Sequence, residues 1–146
     1  MIILRQKNYS SLEDEMAKAF QKTSQILASL QPKEWKKVVM YAEITSNSYE
    51  ICYYTKINNK FIKCYNLEGK DGLTRKQHQK VFDEIYKLLL PIQKRTKCYV
   101  MTLTLDNSGH MVFDLEYNNP FDEKDEEKAA NNWMKFKKDW EKKYLN

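Results

Sequence analysis

The chain has 146 residues, 42% of them hydrophobic and 31% charged, and its 25 Lys and Arg against 20 Asp and Glu give a net charge of +5. That length suits one domain, residues 1–146, able to bury roughly 68–70% of the surface its unfolded chain exposes, so neither a disulfide framework nor a cofactor is required for folding. Cys52, Cys64 and Cys98 are an odd set at wide spacings inside apolar or aromatic runs, which reads as buried thiols in a reducing cytosol rather than bridges or metal ligands. At the start, Ile2, Ile3 and Leu4 run directly into Arg5, too short for a signal-peptide core, and no later run approaches the ~20 residues of a membrane helix. A cytoplasmic protein without a membrane partner is therefore expected, and its basic balance suits an anionic partner.

In chain order, Ser10 and Ser11 precede a stretch that places Met16, Phe20, Thr23, Leu27 and Leu30 on one helical face, with Ser10 and Glu13 at capping-box spacing. A helix over residues 12–30 is predicted, followed closely by Pro32. The period then changes to two. Val38, Met40, Ala42 and Ile44 share one side of a strand, and Val39, Tyr41, Glu43 and Thr45 share the other. Ser46-Asn47-Ser48 turns the chain into a second strand over 49–56, Asn58-Asn59 turns it into a third over 61–67, and Gly69 and Gly72 break the pattern.

From Thr74 a helical period returns, with Val81, Ile85 and Leu88 on a stripe flanked by Phe82, Tyr86 and Leu89. Pro91 is expected to end this helix or kink its last turn. Strands over 98–105 and 110–117 follow, joined at Asn107-Ser108-Gly109, where glycine supplies the positive φ of a tight hairpin. The second alternates Met111, Phe113, Leu115 and Tyr117 against Val112, Asp114 and Glu116, so one sheet face is core and the other at least partly wet. A last helix carries Trp133, Phe136, Trp140 and Tyr144 at helical spacing, an aromatic stripe read as core in preference to an exposed groove. The order α-β-β-β-α-β-β-α holds hairpins and no βαβ unit. It predicts an α+β fold, a largely antiparallel five-stranded sheet with helices packed on one face.

Catalytic chemistry finds little support. His78, in a polar helix start, and His110, just beyond a turn, read as surface side chains away from any Cys or carboxylate pair at ligand spacing. Gly69, Gly72 and Gly109 read as turn residues with no phosphate-cradling loop, and Ser108 lacks the setting of a nucleophile elbow. Asp106, Asp114 and Glu116 are carboxylates that a hairpin can gather, but a divalent cation wants several converging oxygens, and alternating acids on a strand are more often solvated. No enzyme activity, cofactor or metal is expected.

Charge is distributed unevenly. Asp114, Glu116, Asp122, Glu123, Asp125, Glu126 and Glu127 stand against the single Lys124 in their stretch. The basic excess lies in Arg75, Lys76, Lys80, Lys87, Lys94, Arg95 and Lys97, and in Lys135, Lys137, Lys138, Lys142 and Lys143. Such an acidic segment can imitate a nucleic-acid backbone toward the Lys and Arg of a nuclease, and the same acids favour the start of the last helix through its dipole.

The stretch PKEWKKVVMYAEITSNSYEICYYTK, the strand-turn-strand unit MTLTLDNSGHMVFDLEY and the ending WEKKYLN together resemble the YezG-like immunity proteins, over roughly residues 24–146. Residues 1–10 lie outside that resemblance as an N-terminal arm. Proteins of this family are small bacterial antitoxins that include EsaG-type inhibitors of nuclease toxins exported by type VII secretion. The resemblance implies an immunity protein that binds a cognate nuclease toxin stoichiometrically, through the acidic residues named above, without direct contact to nucleic acid. The rival reading is a nucleic-acid-binding module using the basic second helix with Tyr41, Tyr53 or Tyr54 as stacking rings. Self-association is left open by the sequence.

Overall fold

A computed structural model describes residues 11–67, 73–117, 119 and 123–146. Helix α1 (Ser11–Ser29) leads into strands β1 (Lys37–Ile44), β2 (Tyr49–Ile57) and β3 (Lys60–Lys63), then a 3₁₀ turn (Cys64–Leu67). Helix α2 (Arg75–Thr96), strands β4 (Val100–Asp106) and β5 (Met111–Glu116) and helix α3 (Glu126–Tyr144) complete the described chain. The strands form one antiparallel sheet in the order β3-β2-β1-β4-β5, so the class and element order are those expected. No helix among the described residues is long and apolar enough to cross a membrane.

β1 occupies the centre, and Val38, Val39, Met40, Tyr41 and Ala42 are all fully buried. A strand buried on both sides needs cover on both sides. One row, with Met40 opposite Tyr53 and Leu103, and Phe113 beyond them, faces α1 and α2. There Phe20 stacks on Phe113 with ring centroids 4.1 Å apart, and Tyr53 meets the edge of Phe82. The other row, with Tyr41 opposite Cys52 and Thr102, faces α3. Trp140 sits edge-on to Tyr41 at 5.1 Å, contacts Tyr54 at 5.7 Å, and donates its indole N–H to Thr102 Oγ1 at 2.8 Å. The expected placement of every helix on one face therefore does not hold. α3 lies opposite α1 and α2 because Tyr41 and Tyr54 project from the side those two helices leave bare. The margins of this face are wet, with Val112 47% exposed on β5 and Glu50 and Lys63 exposed on β2 and β3.

Local sequence explains most boundaries. In α1 the stripe Phe20, Thr23 and Leu27 is buried, and Thr23 is tolerated there because its hydroxyl donates to Ala19 O at 2.7 Å. Asn58 and Asn59, with φ of 51° and 65°, make the left-handed pair that joins β2 to β3. The third strand is shorter than expected: Cys64, a fully buried residue, starts the 3₁₀ turn instead of continuing the ladder. α2 opens with a capping box in which Thr74 Oγ1 accepts from the Gln77 amide and the Gln77 side chain accepts from the Thr74 amide. It runs through Pro91 to Thr96, closing at the left-handed Lys97, whose N–H donates to Gln93 O at 2.7 Å. Pro91 is exposed, so its ring meets solvent and only its missing N–H is lost to the helix.

The buried stripe of α2 is His78, Phe82, Ile85, Leu89 and Ile92, rotated from the expected Val81, Ile85 and Leu88. His78 is accordingly no surface residue: it is 0% exposed, stacked on Phe82, with Nε2 2.8 Å from the Tyr53 hydroxyl. A ring with a buried hydroxyl partner can lie in the core at low cost, which a polar-looking helix start conceals. Cys52, Cys64 and Cys98 are free and buried, and burial raises each thiol above its ordinary pKa, Cys64 to about 11. The capping-box Ser10, and Gly69 and Gly72, lie outside the described residues.

Candidate functional site

The acidic residues fall into two groups. At the start of α3, Asp125 is the N-cap: its carboxylate accepts from the Glu127 and Lys128 amides at 3.0 and 3.2 Å. Glu123 Oε1 accepts from the Asp125 amide at 3.3 Å, which steadies the approach to the helix. Glu126 and Glu127 occupy the first turn, where the positive end of the helix dipole favours them, and all four side chains are exposed. Asp122 lies outside the described residues.

Asp114 and Glu116 belong to the other group, on the α3-facing side of β5. Asp114 accepts from the Tyr144 hydroxyl at 2.7 Å, at the far end of α3. Burial and then this bond push the Tyr144 phenol up to about 12. At 1.5 Å per residue the helix carries Tyr144 about 28 Å from Asp125, so the structure does not bring the two groups together. Between β5 and α3 lies a cleft of about 280 Å³ in which Asp114 and Glu116 are joined by Asp139, facing Phe136, Lys143 and Tyr144.

Asp106 stands apart from both groups. Its Oδ1 accepts from Ser108 Oγ at 2.6 Å and from the Ser108 and His110 amides, both at 3.0 Å. These bonds hold its carboxyl below the ordinary carboxylate pKa and fix the β4–β5 turn, where Gly109 adopts φ 94°. Among the described residues no group of three or more His, Cys, Asp or Glu side chains is placed to hold a metal ion.

The tyrosines proposed as stacking rings are not available for that role. Tyr41, Tyr53 and Tyr54 are 0%, 1% and 9% exposed, the first and last beneath α3 and the other against α2. Burial, foremost, raises the pKa of all three. Lys137, part of the basic run of α3, places Nζ 3.7 Å from the centre of the Tyr41 ring. Glu43 is a residue that periodicity alone passes over. Its Oε1 accepts from the Tyr41 hydroxyl at 2.7 Å and from Trp133 Nε1 at 3.3 Å, so it ties β1 to the middle of α3. The available signal was a carboxylate directly following the buried apolar run 38–42 of the central strand.

The model of the family described as "Immunity protein YezG-like" matches residues 16–142, from within α1 to near the end of α3. This chain belongs to that family. Among curated proteins, the Immunity protein YezG of Bacillus spizizenii is 26% identical over an alignment of 119 positions, and the match covers 70% of this chain and 69% of that protein. Membership gives this YezG-like protein an immunity role and implies that it acts by binding a cognate toxin. The matched span takes in both acidic groups and the helix that separates them.

Proposed function

We propose that this YezG-like protein neutralises a nuclease toxin of type VII secretion by stoichiometric binding in the cytoplasm, and that it turns over no substrate. The observation that supports this most strongly is the exposed acidic start of α3, where Glu123, Asp125, Glu126 and Glu127 project from a helix anchored to the sheet by Trp140. Carboxylates held there present negative charge at fixed spacing to the Lys and Arg that a nuclease uses to grip phosphates. The matching fields accelerate encounter and exclude nucleic acid from the same surface. Asp122 extends this group in sequence, while Asp114 and Glu116 offer the partner a second acidic area beyond the length of the helix. Direct binding of nucleic acid is disfavoured by the burial of Tyr41, Tyr53 and Tyr54.

The test is co-expression with the C-terminal nuclease domain of the proposed cognate toxin, sought in the neighbouring reading frame. Survival of the host, recovery of a complex of fixed ratio and loss of nuclease activity on mixing are the expected results. An equally toxic nuclease that does not co-purify would contradict the proposal.

A further inference from the structure

The two edges of the sheet are finished differently. β3 spans only Lys60–Lys63, carries a lysine at each end and runs straight into a 3₁₀ turn. Short length and edge lysines are features by which a sheet resists the addition of another strand. β5, reading MVFDLE, contains no proline, lysine or glycine, and among the described residues it pairs with β4 alone.

Its backbone orientation follows from the hairpin. The Asp106 N–H donates to His110 O at 3.0 Å, so His110 and then Val112, Asp114 and Glu116 direct their peptide groups toward β4. Met111, Phe113 and Leu115 direct theirs outward. Side chains alternate as well. Met111 and Phe113 border a groove of about 590 Å³ shared with Met16 and Ala17 of α1, whereas Asp114 and Glu116 border the cleft beside α3.

We propose that β5 is a docking edge, at which an extended segment of the toxin adds as a sixth strand with apolar side chains toward α1 alternating with cationic side chains toward Asp114 and Glu116. This rests on the toxin-binding reading above and assigns a surface to it. Main-chain bonds to the outward peptides of Met111, Phe113 and Leu115 give affinity, and the alternation of apolar and acidic neighbours selects the sequence. Charge complementarity identifies the occupant. A second copy of this chain would bring Val112, Asp114 and Glu116 to the same side and supply no cation from its own strand.

The experiment is amide hydrogen exchange on this protein alone and mixed with the C-terminal nuclease domain of the proposed cognate toxin, silenced by an active-site substitution. On complex formation the amides of Met111, Phe113 and Leu115 slow by at least about tenfold, while those of Val112, Asp114 and Glu116, already bonded to β4, change little. Met111→Pro, which removes an outward N–H at a strand start, and Asp114→Lys each weaken binding by about tenfold, whereas Tyr144→Phe, which loses the hydrogen bond to Asp114 but keeps its charge, binds normally. The doubly substituted K60E/K63E edge binds normally. A complex that forms with the outward amides unslowed overturns the docking edge and leaves the toxin-binding reading standing. No complex at all overturns both, and slowing of the same amides in the protein alone, with a doubled mass, shows that a second copy is the occupant and overturns the proposal.

Discussion

The two ends of α3 share one helix and do opposite work. Toward its C-terminus, Trp140 is buried against Tyr41, Tyr54 and Thr102, and Tyr144 reaches Asp114. At its N-terminus, Glu126 and Glu127 touch solvent, and the exposed Asp125 carboxylate accepts from the amides of the helix it caps. Apolar burial fixes the position of the helix at one end, which leaves the other end free to carry a charge pattern that folding does not require. Stability should therefore depend on the aromatic end and partner binding on the acidic end.

The largest effect expected is on Trp140. Trp140→Ala should lower stability by roughly 3–5 kcal/mol in a denaturant melt, because it opens a cavity beneath three elements and strands the Thr102 hydroxyl. Trp133, only half-buried, with its indole N–H on Glu43, should cost about 1 kcal/mol when changed to Ala. Equal losses at the two positions would mean that the helix is anchored along its whole length. At the acidic end, Asp125→Ala removes the cap and should cost about 0.5–2 kcal/mol. A loss as large as that of Trp140→Ala would break the division between the ends.

The smallest effect concerns acid. The lowered pKa of Asp106 makes its hydrogen bonds to Ser108 and His110 a stabilising contribution that is present at neutral pH and shrinks as pH falls through the folded-state value. NMR shifts of the Ser108 and His110 amides should report this below the ordinary carboxylate range, with Trp140 unaffected. A turn insensitive to acid would show that Gly109 alone holds it.

Strand positions and hairpin turns were legible in the sequence because period-two alternation and the Asn-Asn and Ser-Gly signals are local. The side on which α3 docks was not legible. Periodicity marks Trp133, Phe136, Trp140 and Tyr144 as one stripe but says nothing of which sheet face receives it. The clue lay in β1, where Val39 and Tyr41 are as apolar as Val38 and Met40, a pattern that demands cover on both sides. His78 was missed because its sequence neighbours are polar, while the Tyr53 hydroxyl that admits it to the core is 25 residues away. The acidic residues were visible as a run in sequence, yet their separation into two groups required knowing that β5 and the far end of α3 meet at Asp114 and Tyr144. Edge status, likewise, is a property of the strand order and belongs to no single residue.

The central claim is that the acidic start of α3 meets the toxin. It is tested most directly by the association rate of this protein with the silenced toxic domain of the proposed cognate toxin, measured at two ionic strengths, for the parent and for a variant with Glu126→Lys and Glu127→Lys that keeps Asp125 as the cap. The account predicts that the variant keeps its fold by circular dichroism, associates about tenfold more slowly at low salt and loses much of the salt dependence, whereas R75E, K76E and K80E together change the rate little. An unchanged rate in the acidic variant, or a larger loss in the basic one, would contradict it.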